Sequence, residues 1–434
     1  MNPKIAAIRR VGQLAHLLLG NDSKAKTPAG GNWVNINMHG DAHFLNVSDS
    51  QFSVRSAEVT AAREASWYAN TPYGIAILRY AELKELLRHK MLRQGSYAWP
   101  ALNNATGSFA RWWMNMMLGK EGGDHARLRK LANPAFSPKI VRALLPSFHS
   151  MAEELTEAFV GDGRCEYMRQ FSEPYATRVV CKLLGIPEDN WRELADITVV
   201  MGQALGVSYF EKMDEVNEAT DRMFAIAEKL VVDRRSRPAG EDFLSTLLSV
   251  NEASEDALSH QEMLDMIVLT IFAGIDTTRN QLGLGIDMFI QNPQQWELLR
   301  ARPDLAEAAV DEVMRARPTV TWVTREAVED FEYQGLRIAR GATLHLFSQS
   351  ACSDPSAFPD PEFDIAAQRK THFGFGGGIH HCLGNFIARA DMQVAFEALS
   401  RKVSNIRYDG EPVFLPDSGN TGPLTLPIKF EAVA

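Results

Sequence analysis

The chain has little cysteine and no long apolar run, and both absences limit where it can work. Its four cysteines in 434 residues form no CxxC pair and are too widely spaced for a disulfide framework or a shared zinc site. Such sparse thiols are typical of a reducing compartment, so we expect a cytoplasmic protein. The longest apolar stretch near the N-terminus, residues 14–19, is interrupted by His16 and is far shorter than the roughly 20 residues that span a bilayer. We therefore predict no membrane span.

A concentrated basic surface is also missing. The net charge is −9 at pH 7, with 45 basic and 54 acidic residues. The densest basic run, Arg234, Arg235 and Arg237, stands beside Asp233 and Glu241. Because binding to phosphate backbones requires a clustered positive face, nucleic acid is not expected as the main partner.

The chain shows no internal repeat and no linker that would divide it into separate domains. Residues 1–60 are rich in Asn, Ser and Gly and are predicted to form an irregular lead-in, followed by one large domain over residues 61–434. Apolar residues recur at helical spacing over residues 82–92, 140–160, 221–232, 261–291, 304–315 and 383–399. Strand-like alternation is found over residues 73–78, 331–338 and 342–346, the last two joined around Gly341, and in a hairpin over residues 413–430. The pattern predicts a mainly α fold with a minor β portion.

The most informative segment is residues 373–384, which read FGFGGGIHHCLG. Three consecutive glycines ending at Gly378 are incompatible with a stable helix or strand and suggest a loop that lies flat against something large. The loop leads to Cys382 at the start of the predicted helix over residues 383–399. A thiol near a helix N-terminus is favoured as its anion, and an anionic sulfur suits a soft metal ligand.

Three other interpretations of this segment differ in how well the residues fit them. A phosphate-binding loop requires Lys followed by Ser or Thr after the glycines, and no such pair is present. His380, His381 and Cys382 are adjacent, so all three cannot easily reach one tetrahedral zinc ion. A structural glycine turn beside a buried cysteine agrees with these residues taken alone, so that alternative stays open.

The full spacing of the segment resembles the haem-binding signature of the cytochrome P450 family. The signature, aromatic-x-x-Gly-x-basic-x-Cys-x-Gly, is matched here by Phe375, Gly378, His380, Cys382 and Gly384. The resemblance implies that Cys382 binds the iron of haem b and that the other four residues surround the cofactor. It also implies the fold of that family, a single large helical domain with small antiparallel sheets.

A second motif, AGIDTT over residues 273–278, lies in the middle of the predicted apolar helix. An acid and a hydroxyl are costly there unless they have partners or a task. Thr277 can bond a preceding carbonyl and loosen the helix, so a kink with a hydrated groove is one interpretation. In the cytochrome P450 family a similar segment passes over the iron, which implies that Ala273 borders the cofactor. By the same resemblance, Thr277 would hold dioxygen and water, and Asp276 would relay protons toward them.

Glu312 and Arg315 are spaced i, i+3 and share one helix face, which by itself predicts a surface ion pair worth under about 1 kcal/mol. Their position upstream of the cysteine resembles the ExxR pair of the same family, which implies a structural role. The third member of that network is usually an Arg in a Pro-x-x-Phe-like segment. Residues 358–364 read FPDPEFD, with no Arg before Phe363, so the third partner is not identified.

His125 and Arg129, spaced i, i+4, present two cationic donors on one helical face. Alone, this spacing is typical of a solvated basic face. It resembles the HxxxR pair that holds a haem propionate in the cytochrome P450 family, and Arg325 and His380 resemble the donors on the other side. Four donors suit two carboxylates, since each carboxylate accepts several hydrogen bonds.

The resemblance covers roughly residues 60–430 and implies a monooxygenase that inserts one oxygen atom from O2 into a small, mostly apolar substrate. Electrons would come from NAD(P)H through an external ferredoxin or flavodoxin-type partner, because the chain shows no flavin or iron–sulfur pattern. Arg127 and Lys130 are candidate contacts for that partner. The residues predicted to line the substrate pocket, the first two in an irregular segment after Gln94, are Trp99, Phe109, Leu269, Phe272, Val320, Trp322 and Val323.

Two alternatives stay open. Peroxide-driven oxygenation or biosynthetic oxidative coupling would use the same haem, although an intact pair of Asp276 and Thr277 disfavours a peroxygenase. A haem sensor or carrier would need no proton relay, so Asp276→Asn would leave its function unchanged.

Overall fold

The computed structural model describes residues 42–49, 51–102, 104–187, 190–205, 212–237, 240, 242–417 and 419–433. Within these ranges the chain is mainly helical, as predicted. The helices are α1 (Ala57–Ala65), α2 (Tyr80–Leu86), α3 (Trp99–Leu102), α4 (Ser108–Asn115), α5 (Gly122–Ala132), α6 (Pro138–Val160), α7 (Glu173–Leu184), α8 (Trp191–Gly202), α9 (Met213–Arg235), α10 (Phe243–Glu252), α11 (His260–Gln291), α12 (Pro293–Ala301), α13 (Ala306–Ala316), α14 (Ser348–Ala351) and α15 (Asn385–Lys402).

Short strands form small sheets beside the helices. They are β1 (Tyr68–Thr71), β2 (Gly74–Ile77), β3 (Leu92–Gln94), β4 (Arg164–Glu166), β5 (Trp322–Ala327), β6 (Phe331–Tyr333), β7 (Leu336–Ile338), β8 (Thr343–Phe347), β9 (Val403–Tyr408), β10 (Val413–Phe414), β11 (Pro423–Thr425) and β12 (Pro427–Ala432). The largest sheet has the order β1-β2-β8-β5-β3 and is antiparallel except between β2 and β8. A second sheet has the order β4-β12-β9, and β6-β7 and β10-β11 are two-stranded ribbons.

Helix α11 lies in the core because it is buried along most of its length. A capping box starts it: the Ser259 hydroxyl accepts from the Glu262 N–H, and the Glu262 carboxylate accepts from the Ser259 N–H. Apolar residues on all sides of the helix, rather than on one face, are typical of such a buried position. A Cβ at Gly285 would overlap the Phe396 ring, so this glycine permits the close crossing of α11 and α15. The crossing brings together the helix of the 273–278 motif and the helix that follows Cys382.

The described part of the predicted lead-in packs against the largest sheet. The Leu45 N–H donates to the Asn70 carbonyl at 2.8 Å, and Phe44 pairs with Asn70 beside β1. Leu45 and Val54 are buried in a cluster with Phe347 of β8. Residues 1–41 lie outside the described ranges, and the domain boundary near residue 60 stays a prediction.

Several predicted boundaries are wrong. Helix α2 ends at Leu86 rather than at residue 92, because residues 92–94 pair with β5. Residues 331–338 are not one strand, since Gln334 and Gly335 take positive φ values of 47° and 79° and reverse the chain between β6 and β7. Strand β8 pairs with β2 and β5 rather than with residues 331–338. Strand β12 pairs with β4 and β9, so it is not part of the hairpin predicted over residues 413–430.

The segment after Gln94 is also not irregular, because it contains α3 and α4. Consecutive aromatic residues have modest helix propensity, and the tertiary packing of Trp112 and Trp113, both buried, stabilises α4 instead. Among the described residues, no helix is both long and apolar enough to cross a membrane, and residues 14–19 lie outside them.

Candidate active site

Cys382 lies at the end of the glycine loop, three residues before α15 begins. Its N–H donates to the Phe375 carbonyl at 3.0 Å, and the Asn385 Nδ2 donates to its carbonyl at 2.8 Å. The thiol is free and half-buried. Burial raises the pKa of the Cys382 thiol and outweighs the Gly384 N–H and Arg129, which both lower it. The predicted preference for the anion is therefore wrong for the protein alone, and a bound metal ion would have to supply the missing stabilisation.

Two glycines of the loop are required because a side chain there would collide with neighbouring backbone. Gly378 has a φ of +69°, and a Cβ there would lie 2.5 Å from the Leu87 carbonyl oxygen. A Cβ at Gly374 would lie 2.5 Å from the Met314 carbonyl oxygen. The prediction that the loop lies flat against a large group is correct for these two positions. The group is the protein backbone near the C-terminal ends of α2 and α13.

The four predicted propionate donors occur in one neighbourhood, centred on a carboxylate that was not predicted. The His380 Nε2 is 2.9 Å from Oε1 of Glu121, and the rings of His125 and His380 lie 4.4 Å apart. The Arg129 Nη1 donates to the Ile379 carbonyl at 3.1 Å, next to His380. Glu121 could have been found from its position four residues before His125, one helical turn away.

Arg325, on β5, is connected to Glu121 by hydrogen bonds through Gln94. Its Nη1 donates to the Gln94 Oε1 at 3.2 Å, and the Gln94 N–H donates to Glu121 at 2.6 Å. A cavity of about 510 Å³ lies beside Glu121 and is lined also by Lys90, Arg93 and Tyr97. Glu121 therefore borders a space open to a ligand.

Burial controls the charges in this cluster. It lowers the pKa of His125 to about 4, with further lowering by His380 and Arg129, and it lowers the pKa of Arg325 to about 10. Burial alone would raise the pKa of Glu121, but hydrogen bonds from His380 and Gln94 hold it below the usual range. His125 is thus neutral at pH 7 in this structure, and an arriving carboxylate would favour its protonation. This donor set fits the propionates of haem.

The centre of α11 has an exposed patch, although the helix is otherwise buried. Ala273 is exposed and Gly274, Asp276 and Thr277 are half-buried, whereas Phe272 and Ile275 are buried. The Thr277 hydroxyl donates to the Ala273 carbonyl at 2.6 Å, as predicted. An exposed residue beside half-buried ones, in the middle of an otherwise buried helix, is typical of the wall of a binding site.

Asp276 is held by two amides. The Asn420 Nδ2 donates to Oδ2 at 2.6 Å, and the Asn280 Nδ2 donates to Oδ1 at 3.4 Å. Burial raises the pKa of the Asp276 carboxyl, opposed by Arg279 and by both amides. The carboxyl can therefore take up a proton nearer to neutral pH than an exposed Asp. Asn420 had no sequence signal, because it lies 144 residues away in a turn.

Four of the predicted pocket residues lie near the centre of α11 or in the aromatic cluster that packs on it. Leu269 is half-buried one helical turn before Ala273. Trp99 packs edge-on against Phe109, with ring centroids 5.9 Å apart, and Trp112 packs against Phe272 at 5.5 Å. Phe109 is fully buried among protein side chains, which is a core position in this structure.

The other three predicted pocket residues lie on or before β5. Val320 pairs with Asn420 in an isolated bridge. The ring of Trp322 stacks on Phe347 at 5.0 Å, and Val323 packs against the apolar cluster beside the largest sheet. Trp322 thus has a structural partner, while Val320 lies next to the residue that holds Asp276.

Glu312 and Arg315 form a buried pair rather than a surface one. The Arg315 guanidinium donates to both carboxylate oxygens of Glu312 at 2.7 Å, and also to the carbonyls of Cys352 and Pro361. The missing third partner is Arg369, whose Nε and Nη2 each lie 3.3 Å from Glu312. It follows Phe363 instead of preceding it, so the sequence pattern did not reveal it. The network fixes the segment that leads into the cysteine loop.

Comparison with known proteins agrees with this geometry. A family model described as Cytochrome P450 matches residues 190–404. Luteothin monooxygenase of Streptomyces thioluteus is 33% identical over 397 residues, which cover 90% of this chain and 97% of that protein. The polyketide biosynthesis cytochrome P450 PksS of Bacillus subtilis (strain 168) is 34% identical, with coverage of 68% and 72%.

Solved structures give the same result. P450BioI in complex with hexadec-9Z-enoic acid ligated acyl carrier protein is 26% identical, with a TM-score of 0.79 and coverage of 86% of this chain and 97% of that one. The predicted mainly α fold is therefore confirmed as the fold of these proteins. On this evidence the chain belongs to the cytochrome P450 family and is a haem-dependent monooxygenase.

Proposed function

We propose that this monooxygenase binds haem b through Cys382 and inserts one oxygen atom from O2 into a small, mostly apolar organic substrate. The observation that carries the proposal is the free Cys382 thiol in the loop just before α15, which also contains His380 of the propionate cluster. A thiolate-ligated haem iron supplies the activation of dioxygen, because the sulfur donates electron density that favours O–O cleavage.

His125, Arg129, Arg325 and His380 hold the two propionates in this proposal. His380 lies within hydrogen-bond distance of the Glu121 carboxylate, and the charges of His380 and Arg325 both lower the pKa of that carboxyl, which supports an anion-binding role for the cluster. Phe375, Gly378 and Gly384 shape the loop that presents Cys382, and Ala273 leaves room beside α11 for the flat face of the cofactor. Glu312 and Arg315 keep their structural role.

Asp276 and Thr277 move the protons. Burial raises the pKa of the Asp276 carboxyl and its amide donors oppose that rise, which supports a role in which it takes up and releases a proton. The Thr277 hydroxyl donates to the Ala273 carbonyl, which leaves its oxygen free to accept from water. Leu269, Phe272 and Val320 would orient the substrate and exclude bulk water.

An electron donor of ferredoxin or flavodoxin type would dock on the cysteine side. Two large apolar side chains there are exposed, Ile379 by 54% and Phe386 by 50%, and Lys130 is exposed nearby on α5. Arg127 is less suited than its sequence position suggests, because it already pairs with Glu262.

The substrate class can be approached through the relatives. PksS is named for polyketide biosynthesis, so we include polyketides in a panel with fatty acids, terpenoids, steroids and small aromatics. Displacement of the iron-bound water should shift the Soret band of the oxidised protein when a compound fits. We also propose a cytoplasmic location, which the four free cysteines support.

The experiment that tests the haem assignment is the absorption spectrum of the reduced, carbon monoxide-bound protein. The far-red-shifted Soret band of thiolate ligation is expected in the wild type and in Cys165→Ala, which removes another buried thiol. It should be lost in Cys382→Ala, and Cys382→His should give the band of an imidazole ligand. A wild type without the shifted band would refute the assignment.

The proton role is tested with Thr277→Ala and Asp276→Asn in a surrogate ferredoxin system. Both variants are expected to divert electrons from product to hydrogen peroxide. The rate of product formation should fall by a factor of about 10² or more, as is typical for loss of a general acid. Coupling at the wild-type level in both would remove the pair from the mechanism. A peroxide-driven enzyme would instead form product equally well with added hydrogen peroxide and without the ferredoxin system.

A further inference from the structure

The shortest hydrogen bond to the Asp276 carboxylate comes from Asn420, in residues 419–422, here called the C-terminal turn. The Asn420 Nδ2 is 2.6 Å from Oδ2, whereas the Asn280 Nδ2 on the same helix is 3.4 Å from Oδ1. At these distances the Asn420 bond is short and the Asn280 bond is near the limit of a real interaction. The orientation of the carboxylate is therefore set mainly by Asn420.

Backbone hydrogen bonds anchor the residues on either side of Asn420. The Thr421 N–H donates to the Thr319 carbonyl at 2.8 Å, and the Thr321 N–H donates to the Gly419 carbonyl at 3.0 Å. The Thr319 hydroxyl lies 2.8 Å from Oδ1 of Asn420. That hydroxyl also lies 2.6 Å from the Thr421 carbonyl oxygen and has one proton for the two oxygens. The amide nitrogen faces Asp276 because an ionised carboxylate only accepts hydrogen bonds, and the two groups are 2.6 Å apart.

A glycine brings the turn close enough for this contact. A Cβ at Gly422 would lie 2.5 Å from the Asn280 Cβ on α11, so only glycine allows the two backbones to approach in this way. The contact between the turn and α11 is thus built into the sequence at two positions, Asn420 and Gly422.

The charges around Asp276 explain why an amide partner matters. The charge of Arg279 lowers the pKa of the Asp276 carboxyl. The Arg279 Nε also lies 3.4 Å from Glu173 of α7, so two carboxylates share the charge of this guanidinium. A direct arginine pair would hold the carboxylate ionised, whereas a neutral amide orients it and still allows protonation. Asn420 therefore combines a fixed geometry with a carboxyl that can exchange its proton.

We propose that Asn420 is a positioning residue that holds the Asp276 carboxyl in the orientation from which it delivers protons. This inference rests on the proposed role of Asp276 and adds the C-terminal turn to the proton-delivery machinery. The residue acts through Asp276 and needs no contact with the reacting atoms.

A test that needs no substrate is an infrared pH titration of the haem-loaded protein. The carboxyl band of Asp276 is assigned by its loss in Asp276→Asn. In Asn420→Ala the apparent pKa of that band should rise by about one pH unit, because a donor to the charged form is removed. The control is Thr421→Val, which removes a hydroxyl bonded to the Leu415 carbonyl in the same turn and should leave the band unchanged.

A second test measures hydrogen peroxide per NADPH consumed, with a surrogate ferredoxin system and the panel compound that binds best. Asn420→Ala should raise this ratio roughly tenfold. The exchanged pair Asp276→Asn with Asn420→Asp restores an amide–carboxylate bond but moves the acid to the turn. It should recover the melting temperature of the wild type and keep the high peroxide ratio.

The outcomes distinguish the positioning role of Asn420 from the proton role of Asp276. A wild-type titration and peroxide ratio in Asn420→Ala, or full recovery of coupling in the exchanged pair, would overturn the role of Asn420. An unchanged peroxide ratio in Asp276→Asn would instead refute the proton role of Asp276, while the titration would still report whether Asn420 holds it.

Discussion

Gly376 and Gly378 form a matched pair that separates backbone strain from crowding in the cysteine loop. Their φ values are nearly equal, +67° and +69°. A Cβ at Gly376 would meet nothing closer than the His380 carbonyl oxygen at 4.0 Å, whereas a Cβ at Gly378 would lie 2.5 Å from the Leu87 carbonyl oxygen. Alanine at either position pays the same conformational penalty, and only Gly378→Ala adds a collision with backbone.

The expected magnitudes follow from these distances. The left-handed conformation costs alanine about 1–2 kcal/mol at both positions. Crowding against a packed backbone adds roughly 1–3 kcal/mol at Gly378 alone. Gly378→Ala should therefore destabilise the protein by about twice as much as Gly376→Ala. It should also displace the loop that carries His380 and Cys382.

The measurement is urea denaturation of the haem-loaded proteins, followed by circular dichroism and by the Soret band of the carbon monoxide complex. Gly378→Ala should show the lower midpoint and a smaller fraction of the far-red-shifted band. Equal midpoints for the two variants would show that Leu87 yields without cost, and the crowding argument would then be refuted. A lower midpoint for Gly376→Ala would refute it as well.

Two further substitutions test buried charges. Arg369→Met should lower the free energy of unfolding by about 1–3 kcal/mol, because it removes a donor from the buried Glu312. The control is Arg401→Met, which breaks an exposed ion pair of the same 3.3 Å length and should lower the free energy of unfolding by under about 0.5 kcal/mol. Equal urea midpoints for those two variants would contradict the buried network. Asp391 is buried, one carboxyl oxygen has no hydrogen-bond partner among the described residues, and burial raises its pKa well above the ordinary value. Since the folded protein keeps this proton at a pH where the unfolded chain loses it, wild-type stability should fall as pH rises, by at most about 1.4 kcal/mol per pH unit, and Asp391→Asn should remove that slope. Thermal melts across pH test this, and a slope that survives the substitution would count against it.

The cysteine loop and the motifs within single helices could be predicted because their geometry is local. The pair Glu312 and Arg315 meets because i, i+3 residues share a helix face, and Thr277 bonds Ala273 because i, i+4 residues are one turn apart. The mainly α fold followed from helical periodicity, and the family signature identified Cys382. None of these needed knowledge of how distant segments pack.

Long-range contacts could not be predicted in the same way. Arg369 completes the Glu312 network from a segment folded back across 57 residues, and Asn420 reaches Asp276 across 144. No sequence spacing sets these distances, since they depend on how turns and helices pack and on glycines that permit close approach. Burial is the other property that only the folded chain decided. It leaves His125 neutral, keeps the Cys382 thiol protonated without a metal, and makes Asp276 ready to exchange a proton.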